Sequence, residues 1–454
     1  MEHNCAVVLA AGEGKRMKSD NPKVLSRVLF KPMLGWVLDA VEGAGITDTC
    51  VVTGHKREKV ETYLSGRCES VFQEKQLGTG HAVMQAKAFL EAKAFDHVLV
   101  LCGDAPLMDK ETITQALAFH KNRKNAVTVI SAKVKHPYGY GRIVRSKAVL
   151  SQIIEERDAT GMQKEISEVN SGTYWFKAEA LLSVLDQLDN QNAQNEYYLT
   201  DAITILIGSG ASADAFTAQN PDVVLGANDR IQLLELNNRA RLAILKKWML
   251  DGVELMSIDN VFVGPDVKIG QDTVLLPGTM LKGQVEIGAG CVIGPNTVIQ
   301  DSKIGEAVTL NNVQCVDAVV KDAVTAGPYV NIRPGSVIAS GVKIGDFVEI
   351  KNSNLGRGSK VPHLTYVGDS DIGANVNFGC GCVTVNYDGQ SKNRCVVKDN
   401  AFIGCNTNLI APVEVGEGAY TAAGSTVTES VPAGALAIAR QKQVNKQGWA
   451  KKNR

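Results

Sequence analysis

The sequence has no surplus of either charge: 48 basic and 48 acidic residues cancel over 454 positions. A general binder of nucleic acid or anionic membrane needs excess Lys and Arg, so no nucleic-acid and no membrane partner is expected. Phosphate, if bound, must be held by local geometry. The basic residues that do cluster (Lys442, Lys446, Lys451, Lys452 and Arg454) lie in the tail, where a solvated or frayed end is the plain reading. No CxxC pair occurs among the ten cysteines, and the nearest two, Cys380 and Cys382, flank one glycine. Zinc sites and disulfide frameworks use other spacings, which points to reduced thiols in a cytoplasmic protein. Long apolar runs are missing too. The run Cys5 to Ala11 ends in glycine, is too short for a signal or membrane segment, and reads as a buried strand.

What is present starts with length. A chain of 454 residues exceeds one compact core, so at least two domains are expected. Between them, Asp229 to Leu250 carries Ile231, Leu234, Leu242, Leu245 and Met249 at helical spacing, which predicts a connecting helix over 229–250. Domains of 1–228 and 251–454 follow.

The second domain holds a repeat. Val263, Ile269, Leu275, Leu281, Ile287, Ile293 and Ile299 recur every six residues. Four residues after each of the first six stand Val267, Thr273, Thr279, Val285, Cys291 and Thr297. Six is even and strand side chains alternate with period two, so both sets face the same way. Turn formers such as Gly264-Pro265-Asp266 and Gly294-Pro295-Asn296 lie between. Each hexapeptide is a short strand plus a turn, and stacked coils line up an aliphatic ladder, each rung worth about 1.5–3 kcal/mol on burial. The pattern returns at Ile332, Ile338, Ile344 and Ile350, then at Ile372 and Phe378, then from Val397 onward. Breaks in a solenoid mark where chain leaves the wall. One is expected between Ile350 and Ile372, another between Phe378 and Val397. The first contains His363, the only histidine beyond residue 250. It is either a base that takes a proton from an amine in acyl transfer or a side chain satisfying loop carbonyls. Arg333 and Lys351, beside inward positions, are either ligands of an anion or snorkelling surface cations.

In the first domain the run Ala6 to Ala11 leads into Gly12-Glu13-Gly14-Lys15-Arg16-Met17, a strand entering a glycine loop. Such a loop lets backbone N–H groups approach phosphate, although this one is neither GxGxxG nor a P-loop. Pro22-Lys23 adds a cation on a rigid turn. The run Val98 to Cys102 ends in Gly103-Asp104, and Asp104 is either a magnesium ligand at the carboxyl end of a central strand or a turn aspartate. Gln73, Gln76 and Gly78-Thr79-Gly80 could match the edge of a pyrimidine or form a polar surface loop.

Leu9-Ala10-Ala11-Gly12, Gly14-Lys15-Arg16-Met17 and Pro22-Lys23 resemble the signature of sugar-nucleotide pyrophosphorylases. With Gln76 to Ala82, Gly139-Tyr140-Gly141-Arg142, Glu155, Asn170-Ser171-Gly172 and Glu196 to Asp201, the chain is similar over nearly all its length to one family. That family is the bifunctional N-acetylglucosamine-1-phosphate uridyltransferases/glucosamine-1-phosphate acetyltransferases. The resemblance implies an α/β protein: a Rossmann-like nucleotidyltransferase domain followed by a left-handed parallel β-helix of hexapeptide repeats, assembled as a homotrimer. It implies that Leu9, Ala10, Ala11, Gly12, Gln73, Gly78 and Thr79 hold uridine nucleotide, and that Arg16 and Lys23 neutralise the phosphates of UTP. Gly141, Glu155, Asn170, Tyr198 and Thr200 would line the sugar pocket, and Asp104 and Asn228 would ligate Mg²⁺. In the β-helix it implies Arg333, Lys351, Tyr366, Asn377 and Lys392 around glucosamine 1-phosphate, with His363 as the catalytic base. Cys380, Asn386, Tyr387, Cys405, Ala423 and Arg440 would serve acetyl-CoA. Two positions depart from the family's pattern: Cys380 stands where alanine is usual, and Cys405 where serine is usual. A supply of peptidoglycan precursors is the implied role. Two other readings stay open: a nucleotidyltransferase whose β-helix only assembles it, and a non-catalytic scaffold that binds sugar nucleotides.

Overall fold

The computed structural model describes residues 3–146, 148–192 and 194–451. Lys452 and Arg454 of the basic tail lie outside the described residues, and Lys442 and Lys446 are exposed. By its contacts the chain divides into two compact units, Met1–Ala240 and Arg241–Arg454. No helix among the described residues is long and apolar enough to cross a membrane.

The first unit is built on a nine-stranded sheet. Its strands are β1 (Asn4–Ala10), β2 (Asp48–Thr53), β3 (Glu69–Phe72), β4 (His97–Cys102), β5 (Val127–Lys133), β6 (Arg142–Ser146), β7 (Val149–Ile154), β8 (Glu168–Lys177) and β9 (Ala213–Thr217). The order is β9-β5-β8-β4-β1-β2-β3, with the β6–β7 hairpin on β8. β1 runs parallel to both β2 and β4, whereas β8 is antiparallel to β4 and β5. Cys5, Val7 and Val100 join a buried cluster on one face, and Ala6, Val8, Leu99 and Leu101 join one on the other. Burial on both faces is why β1 and β4 read as unbroken apolar runs. From β1 the chain winds to β2 and β3 on one side, then crosses to β4 on the other. The carboxyl ends of β1 and β4 therefore flank a topological switch point, where open α/β sheets bind ligands.

A helix spans Arg230–Leu250. The helix predicted over 229–250 is present, but its apolar residues do not share one buried face. Ile231, Leu234, Leu242 and Met249 are exposed; of the five predicted residues Leu245 alone is buried. Within the first unit the inward residues are Leu233, Leu236 and Ala240, and within the second Leu245 and Trp248 join the solenoid core. An apolar residue recurs on several helical faces here, so spacing alone could not choose among them.

The second unit is a three-sided parallel β-helix whose sides are stacks of 11, 10 and 9 strands. The predicted ladder residues Val263 to Ile299 are buried, as are Thr273, Thr279, Cys291 and Thr297 four residues on. The threonine hydroxyls are satisfied by backbone carbonyls; Thr273 Oγ1, for example, donates to Gly288 O at 2.9 Å. The ladder then continues through Ile304, Leu310, Cys315, Val320 and Ala326 to Ile332, because some steps are five residues rather than six.

The same device removes one expected break. Ile350, Leu355, Val361, Val367, Ile372 and Phe378 are all buried rungs, and the strands Lys360–His363 and Tyr366–Gly368 stack in place. The chain does not leave the wall there; two five-residue steps shift the frame. The other expected break is real. Ile372 pairs with Val397, so one coil is longer, and the excess is an excursion from Asn386 to Asn393. Asn393 N–H donates to Asn386 O at 2.8 Å and closes it.

Candidate functional site

Each unit gathers one set of the predicted residues. In the first, a pocket of about 430 Å³ opens at the switch point. Leu9, Ala10, Ala11, Gly12, Arg16, Lys23, Gln73, Gly78, Thr79, Asp104 and Asn228 all line it, with Gly14, Cys102 and Glu196. Gly14 has φ +64°, and a Cβ there would stand 2.6 Å from Lys23 Cβ, so the loop can close on Lys23 only with glycine. Pro22 opens the short turn Lys23–Leu25. The Lys23 ammonium then forms an ion pair with Asp104 and donates to Asn228 Oδ1 at 2.7 Å. The side chains expected to hold a metal are thus bridged by the one expected to hold phosphate. Gln73 is buried; its amide nitrogen donates to Gly78 O at 3.1 Å and meets His81 Nδ1 at 3.0 Å. Its Oε1 is an acceptor that a donor from a ligand could meet.

The expected sugar residues form a neighbouring group outside that lining. Asn170 N–H donates to Gly141 O at 2.9 Å, and a Cβ at Gly141 would lie 3.5 Å from Glu155 Oε1. Thr200 Oγ1 reaches the same oxygen at 3.5 Å. Burial raises the Glu155 carboxyl above its ordinary value. Tyr198 accepts from Gln194 at 2.6 Å. The two groups adjoin where Leu199 N–H donates to Thr79 Oγ1 at 3.1 Å, and where Cys102 Sγ meets Gly172 O at 3.8 Å.

In the second unit the residues fall into two columns, one residue per coil. Asp346 pairs with His363, whose carbonyl accepts from Gly381 N–H, and Cys380 O accepts from Asn406 N–H at 2.7 Å. Gly424 N–H donates to Cys405 O at 2.8 Å. One corner therefore stacks Asp346, His363, Cys380, Cys405 and Ala423, and the two cysteines that depart from the family's pattern are neighbours. His363 Nδ1 lies 2.5 Å from Asp346 Oδ1. That hydrogen bond holds the Asp346 carboxyl below its ordinary value, so the carboxylate accepts and Nδ1 carries the hydrogen; in the neutral imidazole the lone pair is then on Nε2.

The second column follows the next face of the prism. The pairing of Ile332 with Ile350 puts Arg333 over Lys351, and Lys351 pairs with Gly368. A Cβ at Gly368 would collide with the hydroxyl end of Tyr366, 2.5 Å from its Cζ, so its absence makes room for that ring. Asp369, buried, accepts from Asn352 at 2.6 Å, from Asn386, and from Lys351 Nζ at 3.5 Å. Burial raises its carboxyl, but these donors and the Lys351 charge outweigh that and bring it below its ordinary value. Arg333 pairs with Glu349 at 2.7 Å. Lys351 in turn lowers the ammonium of Lys392 on the excursion, with Arg333 adding to the effect. Three cations against two carboxylates leave an uncompensated positive charge suited to an anion. Tyr387 is exposed on the same excursion, and Asn377 and Arg440 stand off this column, Arg440 near Gly424.

Asp346, Asp369 and Cys102 were not anticipated from the sequence. A signal for the two aspartates existed: Asp346 precedes His363 by 17 residues and Lys351 precedes Asp369 by 18, one coil each.

The Nucleotidyl transferase family model matches residues 5–238, and the six-repeat Bacterial transferase hexapeptide model matches 266–301 and 394–429. The second match assigns the solenoid to the left-handed kind of parallel β-helix. A Bifunctional protein GlmU of Acetivibrio thermocellus is 47% identical over 450 residues, 99% of this chain and 97% of its own. That of Halalkalibacterium halodurans is 46% identical, covering 100% and 99%. That of Thermoanaerobacter pseudethanolicus is 48% identical, covering 99% and 98%. Matched end to end at this identity, with both family models in their places, the chain belongs to the bifunctional GlmU family of transferases.

Proposed function

We propose that this chain makes UDP-N-acetylglucosamine in two steps at two sites. In the β-helix an acetyl group passes from acetyl-CoA to the amine of glucosamine 1-phosphate. At the switch-point pocket the phosphate of N-acetylglucosamine 1-phosphate attacks the α-phosphorus of UTP and expels pyrophosphate. The domains that carry the two activities are 1–228 and 251–454, joined by a helix over 229–250.

For acetyl transfer, Nε2 of His363 takes a proton from the substrate ammonium, and the freed amine attacks the thioester carbonyl. Arg333, Lys351 and Lys392 hold the sugar phosphate, Tyr366 and Asn377 orient the sugar, and Cys380, Asn386, Tyr387, Cys405, Ala423 and Arg440 meet acetyl-CoA. For uridylyl transfer, catalysis is positioning and charge neutralisation. Gln73 Oε1 accepts from the pyrimidine edge, the Leu9 to Gly12 backbone and Gly78-Thr79 enclose the nucleoside, and Arg16 and Lys23 face the phosphates. Gly141, Glu155, Asn170, Tyr198 and Thr200 hold the sugar. Asp104 and Asn228 offer two hard oxygen donors and would hold Mg²⁺. When bound, the ion neutralises charge on the triphosphate. Lys23 must then leave Asp104 for the phosphates.

A homotrimer is part of the same reading. Tyr329 and Phe347 stack at 5.2 Å, and with Leu364 they form an exposed apolar strip beside the His363 column, a surface that copies of the chain would cover. The protein works in the cytoplasm and supplies peptidoglycan precursors. The observation that carries the second activity is the Asp346–His363 pair, because a β-helix that only assembles has no use for an oriented base.

The test assays both half-reactions on His363→Ala and Asp104→Ala. The first is expected to lose acetyl transfer and keep uridylyl transfer, and the second the reverse. Loss of both activities in either folded variant would sink the two-site reading.

A further inference from the structure

The His363 column holds a pair of thiols that the proposed reaction does not use as thiols. Asn377 pairs with Phe402 and Phe378 with Ile403, and the hydrogen bond from Asn406 N–H to Cys380 O carries this register to the corner. Cys380 thus sits directly over Cys405. Neighbouring parallel strands lie about 4.7–4.9 Å apart, inside the roughly 4.4–6.8 Å that a disulfide needs between Cα atoms. Cys405 packs closely against the upper coil: a Cβ placed on Gly379 would stand 2.7 Å from its Cα and 2.8 Å from its sulfur. Cys405 is exposed and Cys380 half-buried, and both are free thiols. Cys382, two residues on, points into the core, where burial pushes its thiol up to about 11, so it does not compete. Ala423 below is too small to screen the pair.

We propose that Cys380 and Cys405 form a modification site, a vicinal dithiol that low-molecular-weight disulfides oxidise to an intrachain bond, closing the donor end of the acetyl-transfer site. One cysteine thiolate attacks a sulfur of the external disulfide, forming a mixed disulfide and releasing one small thiolate. The second cysteine thiolate attacks the protein sulfur of that mixed disulfide, forming the Cys380–Cys405 bond and releasing the other. The protein loses two electrons, and two protons end on the two released thiols. The bond lies on an exposed corner, so dithiol reductants reverse it. Its effect on acetyl transfer rests on the function proposed for this site; its formation does not.

The test treats the folded full-length chain with oxidised glutathione, alkylates it, digests it and maps disulfides by mass spectrometry. A peptide pair linking Cys380 to Cys405 is expected, with loss of acetyl transfer, retention of uridylyl transfer, and recovery in dithiothreitol. Acetyl-CoA added beforehand is expected to slow the linkage. Cys380→Ala and Cys405→Ser are each compared with themselves before and after oxidant, and each should keep whatever acetyl transfer it has. Absence of the linked pair, or mixed glutathione disulfides alone, would overturn the site. A linked protein that still transfers acetyl groups would overturn the closure of the donor end. A reduced protein without acetyl transfer would count against the proposed function instead, and the mapping would still decide whether the bond forms.

Discussion

Replacing Asp369 by asparagine tests the cation column most directly. Its side chain is 6% exposed, with Oδ1 taken by Asn352 and Oδ2 by both Asn386 and Lys351. At the 3.5 Å of the Lys351 contact and an effective dielectric of about 20, the attraction is about 5 kcal/mol. Desolvation offsets much of it. A carboxamide has one acceptor atom where the carboxylate has two, so in Asp369→Asn an NH₂ group must face a donor, and Lys351 loses its counter-charge. Breaking a fully buried pair costs about 3–5 kcal/mol. The Lys351 side chain is 18% exposed, so the lower figure of about 2–3 kcal/mol applies here. That is a fall of about 4–12 °C in melting temperature, read by calorimetry at neutral pH, with acetyl transfer reduced and uridylyl transfer unchanged. The folded carboxyl lies below its unfolded value of 3.8. The wild type's advantage is therefore complete above that pH and lost as pH falls through the folded value, where the two melting curves should converge. Coincident melting at neutral pH would refute the reasoning.

Asp346→Asn removes the carboxylate that fixes His363 while leaving its position in the column. Acetyl transfer should fall about tenfold, less than the roughly 10²–10⁴ that a general base supplies, and its pH profile should shift; an unchanged profile would make Asp346 a bystander. Gly14→Ala forces a side chain into a positive-φ position, at about 1–2 kcal/mol, and against Lys23. Uridylyl transfer should drop at least tenfold, as small misplacements do, while acetyl transfer measured on the same preparation is unaffected.

Periodicity exposed the solenoid because each coil repeats a local rule, and β1 and β4 were readable because both their faces are buried. Where spacing failed, the failures have physical causes. The Ile350 to Ile372 interval looked like a loop because two five-residue steps move the frame without moving the wall. The helix over 229–250 was legible from its spacing, but its buried face was not, because Ile231, Leu234 and Leu242 are apolar yet exposed. The glycine loop, Lys23, Gln73 and Asp104 were candidates from local pattern and motif resemblance added Leu9 to Ala11, but their shared location follows from strand order, which no local pattern encodes. Asp346 and Asp369 went unnoticed because their partners are one coil away, farther than any turn or helix reaches.

Columns of one residue per coil have an evolutionary consequence. Function here is spelled vertically, in letters 17, 18 or 25 positions apart. Exchanging an outward side chain alters a single letter. A one-residue insertion or deletion in an intervening coil slides every letter on one side of it out of line, unless a corner absorbs the change. The acetyl-transfer half should therefore diversify by substitution and tolerate length changes chiefly at excursions such as Asn386 to Asn393, whose residues already stand outside the text.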